Sequence, residues 1–128
     1  MKKKTKTYYK KKLDAVFSQY IRLKYADEYG VVNCFTCPKF GTVKEMQNGH
    51  FVPRQYLSLR WDERNCRPQC YACNMLYNGQ PSAFAARLEA ETPGIVAELE
   101  KKRREIRQWT VKEIEEEIEK YQKLIKTP

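Results

Sequence analysis

The chain has 128 residues, a formal charge of +9 and a pI near 9.3. That length suits one compact domain with a helical appendage, and the basic excess points to a polyanionic partner, nucleic acid above all. No apolar run reaches the ~18 residues of a membrane span, and the start MKKKTKTYYKKK leads into an amphipathic stretch rather than a signal core, so a membrane protein is excluded and a cytoplasmic location is expected.

In chain order, residues 1–12 read as a basic arm. From Leu13 the apolar positions Leu13, Val16, Phe17, Tyr20 and Ile21 fall at helical spacing and Gly30 offers a stop, which predicts an amphipathic helix within 13–30. Residues 31–80 hold all five cysteines and short extended stretches such as TVKEMQ and HFV, with Asn48-Gly49 as a turn-forming pair between strands. This is the small irregular core that a metal organises. After Pro81 the helical period returns. Thr92-Pro93 reads as an N-cap and first helical position, opening a helix with Val96, Leu99 and Ile106 on one side. Thr110 and Glu113 form a capping-box pattern ahead of Val111, Ile114, Ile118, Tyr121 and Ile125. Two consecutive helices with a short break predict an antiparallel hairpin within 81–128. The charge runs Lys101 to Arg104 and Glu115 to Glu117 read as solvated faces.

The chemistry concentrates in Cys34-Phe-Thr-Cys37 and Cys70-Tyr-Ala-Cys73. Each CxxC lets two thiolates on one tight turn reach the same ion at about 2.3 Å. A reducing compartment makes metal ligation the expected use of such pairs, and together they give a four-cysteine zinc site. Cys66 reads as a buried or spare thiol, because the two pairs already complete four-coordination. Between the pairs stands the single histidine, His50, in NGHFVPR. Asn65 precedes the second pair, and Asn74 and Asn78 follow it. A neutral imidazole can take a proton from water near pH 7, an asparagine can fix the loop bearing it, and an oxygen ligand at a helix start can hold Mg²⁺ against a phosphate. That is the layout of a ββα-metal nuclease. Phe51 and Trp61 read as core.

The segments NCFTC, NGHF, LRWDERNCRPQCYACN and RQWTVKEIEEEIEKYQKLI together resemble the bacteriophage NinG recombination-protein family, also called Rap, from about Leu13 onward. More distantly the cysteine pairs, the histidine and the asparagine after the last cysteine are similar to the endonuclease VII group and the broader HNH endonucleases. The resemblance implies an α+β fold: a zinc-stapled ββα-metal core of the HNH-like, His-Me finger type, flanked by an N-terminal helix and a C-terminal helical hairpin, in one domain over 13–128. It implies metal-dependent hydrolysis of phosphodiester bonds in branched or recombining DNA. Carried over by position, Cys34, Cys37, Cys70 and Cys73 match the zinc ligands, His50 the general base, Asn65 the central asparagine and Asn74 the ligand of a catalytic Mg²⁺ or Mn²⁺. Many HNH-type sites carry an acid or histidine just before the catalytic histidine. Here that position is Gly49, which leaves Asn48, Asp62, Glu63 and Asn78 as further candidate ligands.

Arg54, Arg60, Arg64 and Arg67 surround the insert and suit phosphate contacts, and the lysine arm supplies salt-dependent attraction. A homodimer, and association with phage or host recombination proteins in the bacterial cytoplasm, are the expected partnerships. The alternative to a nuclease is a zinc-organised DNA-binding accessory protein that does not cut, and Gly49 is the feature that favours it.

Overall fold

A computed structural model describes residues 3–126. Helix α1 spans Lys6–Lys24 and begins earlier than expected: Thr5 is its N-cap, the Thr5 hydroxyl accepting from the Tyr8 N–H at 3.3 Å. The boundary placed at residue 12 therefore falls inside a helix, and Met1 and Lys2 of the expected arm lie outside the described residues. Lysine is a good helix former, so the basic run continues the periodicity that buries Leu13, Phe17 and Ile21 on one face.

Strands β1 (Val31–Asn33) and β2 (Phe40–Thr42) pair antiparallel, Val31 opposite Thr42, and carry the first cysteine pair on their connection. A 3₁₀ turn at Val43–Glu45, closed by a Thr42/Glu45 capping box, replaces the extended TVKEMQ stretch. Strands β3 (Gln47–His50) and β4 (Cys66–Gln69) then pair antiparallel, with Gly49 opposite Arg67 and His50 opposite Cys66.

Asn48-Gly49 is thus the middle of a strand, not the expected turn. The reason lies across the ladder, where the Gln69 side chain fills the space a Cβ would need: one built on Gly49 would stand 2.6 Å from Gln69 Cδ and 2.7 Å from Cγ. Gln69 is fully buried and donates from Nε2 to Thr36 Oγ1 and to the Gly79 carbonyl, both at 2.9 Å.

After β4 comes a short π-helix, Ala72–Leu76, then a turn in which Asn78, Gly79 and Gln80 all have left-handed φ. Helix α2 (Pro81–Glu91) closes at Thr92, whose N–H returns to the Leu88 carbonyl at 2.9 Å, and α3 (Ile95–Arg103) opens after Gly94 at φ +90°. Thr92-Pro93 therefore ends one helix instead of starting the next, because Gly94 alone supplies the left-handed residue the reversal needs. Ile106, expected on an apolar helix face, lies beyond α3 and is 93% exposed.

Helix α4 (Val111–Lys126) starts where the capping box placed it: Glu113 N–H donates to Thr110 Oγ1 at 3.1 Å and Thr110 N–H to Glu113 Oε1 at 2.9 Å. Arg107 also donates to Glu113 at 2.9 Å, and these hydrogen bonds hold the Glu113 carboxyl at about 2. A depressed carboxyl stabilises the fold above its ordinary value near 4.5, and that contribution fades as pH falls toward about 2. Combining Thr110→Ala with Glu113→Gln should lower Tm by roughly 4 °C in melts of the zinc-loaded protein at pH 7.

The C-terminal helices do not form the expected hairpin. Instead α2 pairs with α3, through Phe84, Leu88, Ile95 and Leu99 over Val52 and Leu59. Helix α4 packs on α1, with Ile114, Ile118 and Tyr121 against Leu13, Phe17 and Ile21, and the Phe17 and Tyr121 rings 5.0 Å apart edge to face. A third cluster, Val32 and Met46 with Cys34, Cys70 and Cys73, is too small to stand without a metal. The architecture is a mixed α+β fold organised on a four-cysteine cluster.

Candidate functional site

The two CxxC turns converge. The sulfurs of Cys34, Cys37, Cys70 and Cys73 all lie within 4.8 Å of one another, and Cys37 Sγ stands 3.7 Å from Cys70 Sγ. Four thiolates at 2.3 Å around a tetrahedral ion are about 3.8 Å apart, so the spacing fits zinc. Burial works to raise the Cys34 thiol, but hydrogen bonds from the Cys70 and Thr36 backbone and the Thr36 hydroxyl outweigh it and bring it to about 6. Burial and the neighbouring thiols push Cys37 up to about 12. One thiolate forms readily and the next is opposed, which a divalent cation resolves by neutralising the cluster. The four cysteines form a structural zinc site, and Gln69 links its halves by holding Thr36 on one turn and Gly79 beyond the other.

Cys66 is not part of this cluster. It is fully buried against the α1 and α4 core, and burial raises its thiol well above the ordinary value.

His50 lies on β3 beside an open groove of about 1030 Å³ that is also lined by Asn48, Phe51, Arg54, Arg60, Asn74, Met75, Asn78 and Arg103. Its Nε2 is 2.9 Å from the Arg60 carbonyl, which fixes that nitrogen as the donor, and burial lowers its pKa, keeping the ring neutral at pH 7. Asn74 donates to Gln47 Oε1 at 2.8 Å. Asn65 does not reach the groove. It is fully buried, accepting from the Val52 N–H at 2.8 Å and donating to the Val52 and Leu59 carbonyls at 2.9 and 3.2 Å, and so clamps the loop between β3 and β4.

This arrangement corrects the expected hydrolytic chemistry. Among the described residues the grouped metal-ligating side chains are the four cysteines alone. Four thiolates saturate a tetrahedral ion and leave no open position for water or phosphate. His50 is not a ligand, Asp62 is taken up by Arg64 and Lys102, and Glu63 by Lys24. The metal centre is that of a structural zinc site rather than a histidine-dependent nuclease, so the general-base role of His50 is not retained, and among the described residues no second group of histidine, cysteine or acidic side chains supports a separate Mg²⁺ or Mn²⁺ site.

The four insert arginines divide sharply. Arg67 is turned inward, bound to Glu91 at 2.9 Å and to the Glu63 and Cys66 carbonyls, with its side chain 10% exposed. Arg60 is engaged by both oxygens of Asp14, which also accepts from Trp61 Nε1 at 3.0 Å. Arg64 pairs with Asp62 and Glu98. Arg54 is the most loosely engaged, 3.7 Å from Asp14 with its side chain 63% exposed.

Residues of the expected basic arm complete this surface. Lys10, Lys11 and Thr7 of α1 line a second groove of about 600 Å³ together with Arg54 and Arg60. Arg54 lies on both grooves, so basic residues run from the first turns of α1 to the mouth beside His50, with Asp14 and Glu100 the acids in the two linings. The lysines were legible as charge, but their place beside Arg54 depends on Asp14, a polar residue flanking the apolar stripe of α1.

Among the described residues no helix is long and apolar enough to cross a membrane. A family model described as bacteriophage Lambda NinG protein matches residues 1–128. No curated protein and no solved structure matches the chain.

Proposed function

The chain belongs to the bacteriophage Lambda NinG family, and from that membership we propose that it is a zinc-organised, non-catalytic DNA-binding protein that serves recombination, its helices and zinc core acting as one unit. The observation that carries this reading is the continuous cationic surface through Lys10, Lys11 and Arg54. The first turn of α1 holds no acid, and lysines follow along its first two turns. Lys6, in that first turn, opposes the helix dipole at a cost of about 0.3–1 kcal/mol, a cost that phosphate contacts offset. Branched and recombining DNA is the proposed ligand, and association with other recombination proteins follows from the same role.

Fluorescence anisotropy on linear duplex and four-way-junction DNA over a salt series tests it. Combined replacement of Lys10, Lys11 and Arg54 by alanine should reduce the slope of log K against log salt by about 2.7, roughly 0.9 for each phosphate no longer neutralised. Lys112→Ala, which lines neither groove, should leave the slope unchanged. Binding insensitive to the triple replacement, or cutting of either DNA in Mg²⁺ or Mn²⁺, would overturn the proposal.

A further inference from the structure

Between Arg67 and Arg87 the chain carries no charged residue, although charged residues make up 32% of the whole. The middle of this stretch is exposed and apolar: Tyr71, Met75, Leu76 and Tyr77 are each more than half exposed, side by side on and around the π-helix. Exposed apolar groups gathered in one place mark a contact surface. The segment is held at both ends. Cys70 and Cys73 anchor its start in the zinc cluster, and at its end Gly79 donates its N–H to the Cys73 carbonyl at 2.8 Å while its carbonyl accepts from buried Gln69. The apolar side chains therefore sit on a rigid mount.

We infer that this segment is an apolar wedge that contacts unstacked bases of the DNA held in the adjoining cationic groove. The inference rests on the DNA-binding reading above and adds the part of the nucleic acid that the face meets. Met75 lines the same groove as Arg54, Arg60 and Arg103, so the uncharged face is continuous with the cationic one. Cations beside an uncharged apolar centre complement a polyanion whose backbone runs along the groove and whose bases turn toward the centre. With no lysine or arginine of its own, the wedge offers phosphates no cation, whereas methionine, leucine and tyrosine can slide between base steps and unstack them.

The test uses short duplexes, each with one 2-aminopurine at a different position, titrated with the full chain while anisotropy reports binding. The expected result is a rise in 2-aminopurine fluorescence of about twofold or more at positions under the wedge. It should disappear when Met75 and Leu76 are both replaced by alanine, and survive in Tyr77→Phe, which keeps the ring. These residues are exposed, and zinc content and circular dichroism of the variants should match wild type. The double variant should still bind duplex within about tenfold of wild type, because the phosphate contacts remain. Binding without any change in 2-aminopurine would overturn the wedge and leave the DNA-binding reading standing. Failure to bind any DNA would overturn both. Concentration-dependent self-association that Met75→Ala and Leu76→Ala abolish, with silent 2-aminopurine, would assign the face to a second copy of the chain and overturn the inference.

Discussion

Stripping zinc with a strong chelator at pH 7 should unfold residues 31–80, with the loss of an apparent folding contribution on the order of 10 kcal/mol. Around the cysteines the apolar support is Val32 and Met46, with Ala26, Val43 and Ala72 only partly buried, far short of an independent core. Cys70→Ser should have the same effect, seen as collapse of the near-ultraviolet circular dichroism and loss of stoichiometric zinc. Cys66→Ser should retain full zinc content, since Cys66 lies in the other core. Proton competition sets the pH response. Each thiol still protonated in the free protein must release its proton to bind the ion, so affinity falls as pH falls. Zinc-free protein that melts at the wild-type temperature would contradict the assignment.

Gly49→Ala should destabilise the chain by about 3 kcal/mol, the upper range for forcing a methyl into filled space, and lower Tm by roughly 12 °C. The added Cβ meets a buried glutamine that two donated hydrogen bonds hold in place, so Gln69 gives way only by releasing Thr36 or Gly79. Gly41→Ala is the matched control in a strand, since its Cβ would meet the flexible Glu45 side chain at 3.4 Å. Chemical denaturation of Gly49→Ala, Gln69→Ala and the double variant should give a coupling energy above about 1 kcal/mol, as expected for residues in contact. Independent, additive losses would show that the close approach of Gly49 to Gln69 does not govern this position.

The metal centre was legible because ligand spacing is a local property: two CxxC turns state their geometry in four residues each. Helix α4 was legible for the same reason, its capping box and apolar period lying within one segment. What sequence reading missed depends on partners distant in the chain. Asn48-Gly49 has the composition of a turn, and only pairing with Pro68 and Arg67 of β4 makes it a strand, in which the Gln69 side chain leaves no room for a Cβ at Gly49. Gly49 therefore looked like a missing metal ligand when it is a packing position. Pairing α4 with α3 by proximity failed because the apolar face of α4 is matched by Leu13, Phe17 and Ile21 at the other end of the chain. The arginines around the insert were equivalent as letters, and their separation into buried, paired and largely exposed depends on Glu91, Asp14 and Asp62.

The pairing of α1 with α4 has a consequence for how the chain is made. Helix α1 is synthesised before α4, and the whole zinc core lies between them in the chain. Contacts closed over so long a loop form late, so Leu13, Phe17 and Ile21 lack the Ile114, Ile118 and Tyr121 part of their cover until α4 has been made, and exposed apolar surface in that interval favours misassembly. The lysine run at the start of α1 adds like charge next to that face, and like charge opposes association of chains in which the face is still open.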